Sequence, residues 1–435
     1  MISHNYFFAA TNDHPKTRIA PFYLTVCCVY ARYGCGPFLS QPATKIATPF
    51  RRPNLLVEFE RKDSSRRANF RFLPTLFGSP QIIPAARLPT FAAMNTTTQP
   101  RRLPAEWAPQ SAVQLTFPHA DTDWADVLDE VLPCFVHIAE TVSRFEKVLI
   151  VCRDAAEARP LLKNAVQENL LLIECDSNDT WARDHGGITV FESEKPVVLD
   201  FVFNGWGLKF PADKDNLITR HLYEKGIFQA EIQHGGIVLE GGGIESDGLG
   251  TLLTTAECML SPNRNPHLSQ AQIEEYLKAQ FGLARVLWLH HGYLAGDDTD
   301  SHIDTLARFC DPDTIAYIQC PDPHDEHFGE LQKMEAELQT FRKTDGSPYR
   351  LIPLPWPDAC HDSDGHRLPA TYANFLIING AVLLPTYRVP QDAAALEVFK
   401  TIFPAREIIG IDCRPLILQH GSLHCVTMQY PVGVV

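Results

Sequence analysis

FLIINGAVLLP, residues Phe375–Pro385, narrows the fold class more than any other stretch. Two apolar runs, Phe375–Ile378 and Ala381–Pro385, flank Asn379-Gly380. An Asn-Gly pair between such runs signals a tight antiparallel hairpin. Strands joined by so short a turn cannot belong to a purely parallel, doubly wound sheet, where each connection is a long crossover. The surrounding chain nevertheless alternates strands with helices. Lys147–Cys152 (KVLIVC) and Pro196–Phe203 (PVVLDFVF) read as buried strands. Residues 269–281 read as a helix. Ser269 is its N-cap, Gln272 completes a capping box, Ile273, Tyr276 and Leu277 form the apolar stripe, and Gly282 ends it. Ala393–Phe403 reads as a second helix and Leu423–Met428 as a final strand. The pattern is mixed α/β with hairpins, and strand–helix units recur without a clean sequence repeat.

Composition limits what such a fold can do. The 435 residues allow a sizeable core, and 45% apolar with 21% charged residues is ordinary for a globular chain. Charge is unevenly spread. Residues 1–93 carry 12 Lys+Arg against 4 Asp+Glu, leaving 26 against 48 for the rest. An acidic body repels nucleic acid and suits a small cationic substrate, although it also serves plain solubility. The basic, Pro- and Arg-rich segment 1–93 lacks sustained periodicity. It reads as an extension, disordered or not normally translated, ahead of one functional unit spanning 94–435. The 12 cysteines form no C-x-x-C pair, which argues against a disulfide framework or zinc module and points to buried thiols in a reducing, cytoplasmic compartment. No apolar run reaches membrane-spanning length; Ile19–Ala31 comes nearest, as a short signal-peptide-like core.

Four clusters could carry chemistry. In Gly421-Ser422-Leu423-His424-Cys425, strand alternation puts His424 on the opposite face from Cys425, so the neighbour is not its base. A lone cysteine is also, by default, a small buried apolar residue. Gly296–Asp304 packs four aspartates and His302 into a short stretch. If extended, it aims His302 and Asp304 the same way, a base beside a carboxylate. A solvated acidic loop and a metal site are the other readings, and the latter lacks a second cluster beyond the exposed-looking His324-Asp325-Glu326-His327. Trp181-Ala182-Arg183-Asp184-His185-Gly186-Gly187 offers a carboxylate beside an aromatic wall, or a capped turn with Arg183 and Asp184 as a surface pair. Glu240-Gly241-Gly242-Gly243 fits no phosphate loop and reads as a bend that permits close backbone approach.

Taken together and in order, LPAEW (103–107), WARDHGG (181–187), LEGGG (239–243), NRNPH (263–267), DDTDSHIDTLARF (297–309), YANF (372–375) and HGSLHCVT (420–427) resemble the agmatine deiminase family, which is related to bacterial-type peptidylarginine deiminases. The resemblance spans about residues 101–432. It implies a five-bladed α/β-propeller with pseudo-fivefold symmetry and a central site. It implies Cys425 as nucleophile, His302 as general acid/base, and Asp184 and Asp304 as guanidinium-binding carboxylates. Trp181, Asn374 and Asp298 would contact substrate, with Asp298 or Glu245 reading the far amine. The implied reaction converts agmatine to N-carbamoylputrescine and ammonia, in putrescine and polyamine biosynthesis, with no metal or organic cofactor. Self-association into a homo-oligomer stays open. The nearest alternative is a peptidylarginine deiminase. A papain-like hydrolase would not need the two aspartates, and a non-catalytic polyamine binder would not need the intact set.

Overall fold

The computed structural model describes residues 100–435, so the expected extension and the Ile19–Ala31 stretch lie outside the described residues. Five small sheets dominate, and all share one strand pattern. In each, a first strand runs antiparallel to a second, and the second lies parallel to a third reached through a crossover. The sets are Ile188–Glu192, Lys195–Val202 and Glu231–Val238; Ile244–Ser246, Thr251–Thr255 and Arg285–Leu289; Ala307–Asp311, Thr314–Ile318 and Arg350–Leu354; and Leu376–Ile378, Ala381–Thr386 and Glu407–Asp412. The fifth joins the two ends of the described chain: Thr427–Pro431 pairs antiparallel with Gln110–Thr116, which runs parallel to Lys147–Cys152 and then Leu170–Glu174. The repeat is topological and leaves no sequence periodicity behind.

Each crossover carries a helix: Leu128–Ser143, Ile218–Glu224, Gln270–Phe281, Phe328–Thr340 and Gln391–Ile402. Gln270–Phe281 follows its sequence signals closely. The Ser269 side chain accepts from the Gln272 backbone, Gln272 reaches back, and Gly282 ends the helix with φ 67°. Gln391–Ile402 buries Phe399, whose ring meets Phe375 edge-on at 4.9 Å between centroids. Burying such a side chain stabilises by roughly 1.5–3 kcal/mol.

The Asn379-Gly380 hairpin is present, and only Gly380 takes positive φ (76°). Asn379 has a second task. Its Oδ1 accepts from Gln110 N at 3.1 Å, and its Nδ2 donates to Gln110 O at 2.9 Å. The turn thereby staples its sheet to the one beginning at Gln110.

The strand expected over Leu423–Met428 starts late. Residues 423–426 form a turn, and the strand starts only at Thr427. The alternating apolar pattern invites a strand, but the side chain of Asn374 captures the backbone instead. Its Oδ1 accepts from His424 N at 2.8 Å and Cys425 N at 3.3 Å.

Candidate active site

The motif residues occupy equivalent places in the fold. Each lies in the segment just before the antiparallel first strand of a sheet: Asp184 before Ile188, Gly242 before Ile244, His302 and Asp304 before Ala307, Asn374 before Leu376, and Cys425 before Thr427. Equivalent segments of separate sheets therefore meet at one place, and their contacts show it. A Cβ added at Gly242 would sit 2.5 Å from His302 Nδ1, 2.8 Å from Asp184 Oδ1 and 3.2 Å from Asp304 Oδ2. The glycine triplet is a close-approach bend, with Gly242 N donating to Asp184 Oδ1 at 3.0 Å.

A pocket of about 450 Å³, counted out to its mouth, opens onto this place. Its walls include Trp181, Trp206 and Phe210, and its acidic groups are Asp123, Asp179, Asp184 and Asp298, with Cys425 at the floor. No lysine or arginine lines it. The space suits a small molecule, and the charge suits a cation. The Trp181 ring lies against Gly421, where a Cβ would fall 2.0 Å from ring atom Cζ3. Trp206 sits in a run of four left-handed residues, Gly205 to Leu208, with φ of 67°, 54°, 83° and 69°. Such a conformation is strained for a tryptophan. It delivers Trp206 Nε1 to Asp184 Oδ2 at 3.0 Å.

His302, Asp304 and Asn374 are fully buried, one layer behind the pocket surface. Asn374 was expected against substrate; it sits beneath Cys425 instead, where its Oδ1 lies 3.4 Å from the thiol and its Nδ2 donates to Asp304 O at 3.3 Å. An extended backbone was one way for His302 and Asp304 to aim together. His302 instead precedes a single 3-10 turn, Ile303–Thr305, and both side chains still reach the same centre.

The electrostatics follow from burial and close charges. Burial, then Asp304 and Asp184, push the Cys425 thiol well above its ordinary value, so the free site holds a neutral thiol. Burial opposes charge on His302. Asp184, Cys258 and Glu240 outweigh it and raise its pKa well above the usual imidazole value. His302 Nδ1 lies 3.6 Å from Asp184 Oδ1, and Nε2 lies 3.6 Å from Glu240 Oε2. Burial raises Asp184 to about 6, with His302 pulling the other way. Burial also works against ionised Asp304 and Glu240, yet His424 on the first and His302 with Arg264 on the second hold both below the ordinary range.

A second cavity lies behind these residues, with Glu106, Arg183, Glu245 and His424 among its walls. Here two expectations change. Glu245, considered for the substrate's far amine, is absent from the pocket wall; it pairs with buried Arg308 and accepts from Phe309 N at 3.3 Å. Arg183 and Asp184 form no surface pair, since both are buried. Arg183 N instead donates to Cys425 O at 3.1 Å. Asp298 does line the pocket. In the His324–His327 stretch, His324 and Glu326 are exposed as expected, but His327 is buried, with Nδ1 2.6 Å from Asp325 Oδ1 and Nε2 accepting from Ala295 N at 2.8 Å, a structural role.

Sequence reading missed Glu240, Trp206 and Asp179. Glu240 had a signal, as the acid ahead of the glycine triplet; Trp206, between two glycines, had a weaker one. The described cysteines are all free, and no helix among the described residues is long and apolar enough to cross a membrane.

Comparison with known proteins agrees with this layout. The profile of the Porphyromonas-type peptidyl-arginine deiminase family matches residues 102–431. An agmatine deiminase of Pseudomonas aeruginosa is 32% identical over 364 residues, covering 78% of this chain and 98% of its own. A crystal structure of a Porphyromonas gingivalis protein, provisionally named an arginine deiminase, superposes with a TM-score of 0.74 at 56% identity, covering 77% of this chain and 99% of its own. A substrate-bound Cys-to-Ser form of a C. jejuni agmatine deiminase superposes with a TM-score of 0.72 at 38% identity, covering 76% and 96%.

Proposed function

We propose that this chain, which belongs to the family of agmatine deiminases and Porphyromonas-type peptidyl-arginine deiminases, hydrolyses agmatine to N-carbamoylputrescine and ammonia. The observation that carries the reading is the acidic, aromatic-walled pocket ending on Cys425, with Asp184 on its wall and His302 and Asp304 directly behind it. We take residues 94–435 as one catalytic unit and its five like-patterned sheets as the blades of an α/β-propeller. We place it in the cytoplasm, on the strength of its free thiols.

A guanidinium carbon is a poor electrophile because its charge is delocalised. Asp184 and Asp304 clamp the planar cation by charge-assisted hydrogen bonds, each worth roughly 1.5–3 kcal/mol, and hold its carbon over Cys425 Sγ. Their negative charges hold the thiol proton in the free site. The bound cation offsets those charges, which lowers the thiol pKa when attack is due. The S–C bond then forms, and the thiol proton leaves. His302, protonated in the free site and held by Glu240 and Asp184, gives its proton to the departing nitrogen as the C–N bond breaks. Ammonia and a cationic amidino-cysteine result, the ammonia takes up the thiol's proton and leaves as ammonium, and His302 is left neutral. Water, deprotonated by His302, attacks the same carbon. The C–S bond breaks, the adduct's hydroxyl proton passes to the sulfur, the ureido product leaves, and His302 keeps the proton from water, which restores the starting site.

The test is ammonia release by the purified chain with agmatine, free arginine and a blocked arginine peptide compared side by side. A kcat/KM for agmatine at least tenfold above the others carries the proposal. Preference for the peptide moves the chain to protein deimination with the same chemistry, and silence on all three removes the catalytic reading.

A further inference from the structure

The sequence offers His302 as a metal ligand without a second cluster to complete a site. The fold supplies the missing donors from two other segments. Glu240 Oε2 lies 3.6 Å from His302 Nε2 and 3.9 Å from Cys258 Sγ, and the three donor atoms all fall within 4.8 Å of one another. All three residues are buried, and among the described residues His302 Nε2 makes no hydrogen bond, only the longer ion-pair approach to Glu240 at 3.6 Å. A fully buried ring nitrogen held no closer than that leaves room for a better partner. Gly243 faces the same group: a Cβ there would sit 3.2 Å from Cys258 Sγ and 3.9 Å from His302 Cδ2.

We propose that Glu240, Cys258 and His302 form a site for a thiophilic divalent cation, with Zn²⁺ the best match, whose occupancy takes His302 out of the reaction. The donor set decides the ion. Thiolate, imidazole and carboxylate together suit zinc, whereas magnesium and calcium take oxygen alone. Geometry agrees. At ordinary zinc bond lengths, a tetrahedral centre separates nitrogen and oxygen ligands by about 3.4 Å, and sulfur and oxygen ligands by about 3.6 Å. The two separations to Glu240 need only a small side-chain closure, and His302 Nε2 and Cys258 Sγ lie within 4.8 Å of each other. Three protein ligands leave a fourth position for water.

Charge also balances. The ion's two positive charges meet the Glu240 carboxylate and the Cys258 thiolate; the thiol proton and the His302 Nε2 proton both pass to solvent, so affinity rises with pH. Arg264 Nε bonds both Glu240 oxygens, at 2.9 Å and 2.8 Å. The ion takes Oε2 and leaves Oε1 to Arg264, a competition that makes the site reversible. The other comparable cluster among the described residues, Glu106, Glu245 and His424, is different. The guanidinium of Arg308 already bonds both of its carboxylates.

The binding claim stands apart from the proposed reaction, while the inhibition claim rests on His302 acting in it. Co²⁺ and Zn²⁺ are therefore used on the full chain in two measurements. With Co²⁺, wild type and Cys425→Ser both show a near-ultraviolet thiolate-to-cobalt band that Zn²⁺ abolishes, and Cys258→Ser and Cys258→Ala do not. With Zn²⁺, ammonia release from agmatine falls. The half-inhibiting concentration rises at least tenfold in Cys258→Ser, each variant being compared with its own rate in chelator. A band that persists in both Cys258 variants, or that vanishes in Cys425→Ser, puts the ion elsewhere and overturns the site. So does a wild type without a band at millimolar Co²⁺. A chain that turns over no guanidine substrate defeats the proposed reaction, and the cobalt spectra then still decide the site.

Discussion

His424 Nδ1 lies 2.7 Å from Asp304 Oδ2, while Asp304 Oδ1 is buried without a hydrogen-bond partner. One oxygen of the carboxylate is thus anchored, and the other is left over for a ligand. His424 Nε2 lies 2.8 Å from Glu106 Oε2, so both ring nitrogens face carboxylates, although burial and the Arg183 and Arg308 guanidiniums oppose its charge. His424 is therefore a positioning residue for Asp304 and not a base for its neighbour Cys425. Replacing it with leucine removes a hydrogen bond to a buried carboxylate, worth roughly 1.5–3 kcal/mol. The expected loss in kcat/KM is roughly 10- to 100-fold. His424→Asn, whose amide can stand where Nδ1–H does, should recover part of it. Equal losses in the two variants would remove the hydrogen bond from the explanation.

Cys425→Ala should abolish ammonia release and leave agmatine binding measurable by calorimetry, because the carboxylate clamp does not include the sulfur. Residual turnover above a few per cent would transfer the nucleophile's role elsewhere.

Asp184 gives the reaction an acid limb. Its pKa stands at about 6, raised by burial and partly restrained by the Trp206 Nε1 bond to Oδ2. Guanidinium binding needs the anion, so kcat/KM should fall as pH drops through about 6. Trp206→Phe deletes a bond that favours the anion, so Asp184 should become harder to ionise. The acid limb then moves to higher pH. A limb that stays put or moves down would contradict the assignment.

At Gly242 the backbone comes so close to the site that any side chain intrudes. A methyl group there would lie 2.5 Å from His302 Nδ1 and 2.8 Å from Asp184 Oδ1. Gly242→Ala should reduce kcat at least 100-fold while the chain remains folded by circular dichroism. Gly329→Ala, without a left-handed backbone and with open space around it, serves as the control for the added methyl alone.

How much of this the sequence reveals depends on the range of the forces involved. Gln270–Phe281 was legible because its cap, stripe and stop are local, and the Asn379-Gly380 turn for the same reason. The strand expected over 423–428 starts late because Asn374, some fifty residues earlier, supplies the acceptor that bends the backbone into a turn. The same distance hides most of the site. Glu240 and His302 reach Asp184 or its neighbours from separate sheets, Trp206 reaches it from beyond a hairpin of its own sheet, and no spacing rule links them. Cys425, His302, Asp184 and Asp304 were named through the family's motifs, whereas Glu240 and Trp206 needed the fold.

Glu146 makes stability itself depend on pH. Its Oε2 accepts from Asn379 N at 2.9 Å, and its Oε1 is buried without a partner. Burial pushes its pKa up to about 7, with Asn379 and Arg406 pulling the other way, against an ordinary value of 4.5. Between those values the folded chain holds the proton more tightly than the unfolded chain does. This contribution is therefore full at low pH and declines as pH rises through about 7, by up to about 3 kcal/mol. Glu146→Gln keeps an acceptor for Asn379 and removes the titration. Relative to wild type, the variant should melt at a similar temperature at pH 5 and at a higher one at pH 8. Thermal unfolding of both proteins across that range decides it, and a variant less stable than wild type at pH 8 would mean that the ionised carboxylate is stabilised by its surroundings rather than opposed by them.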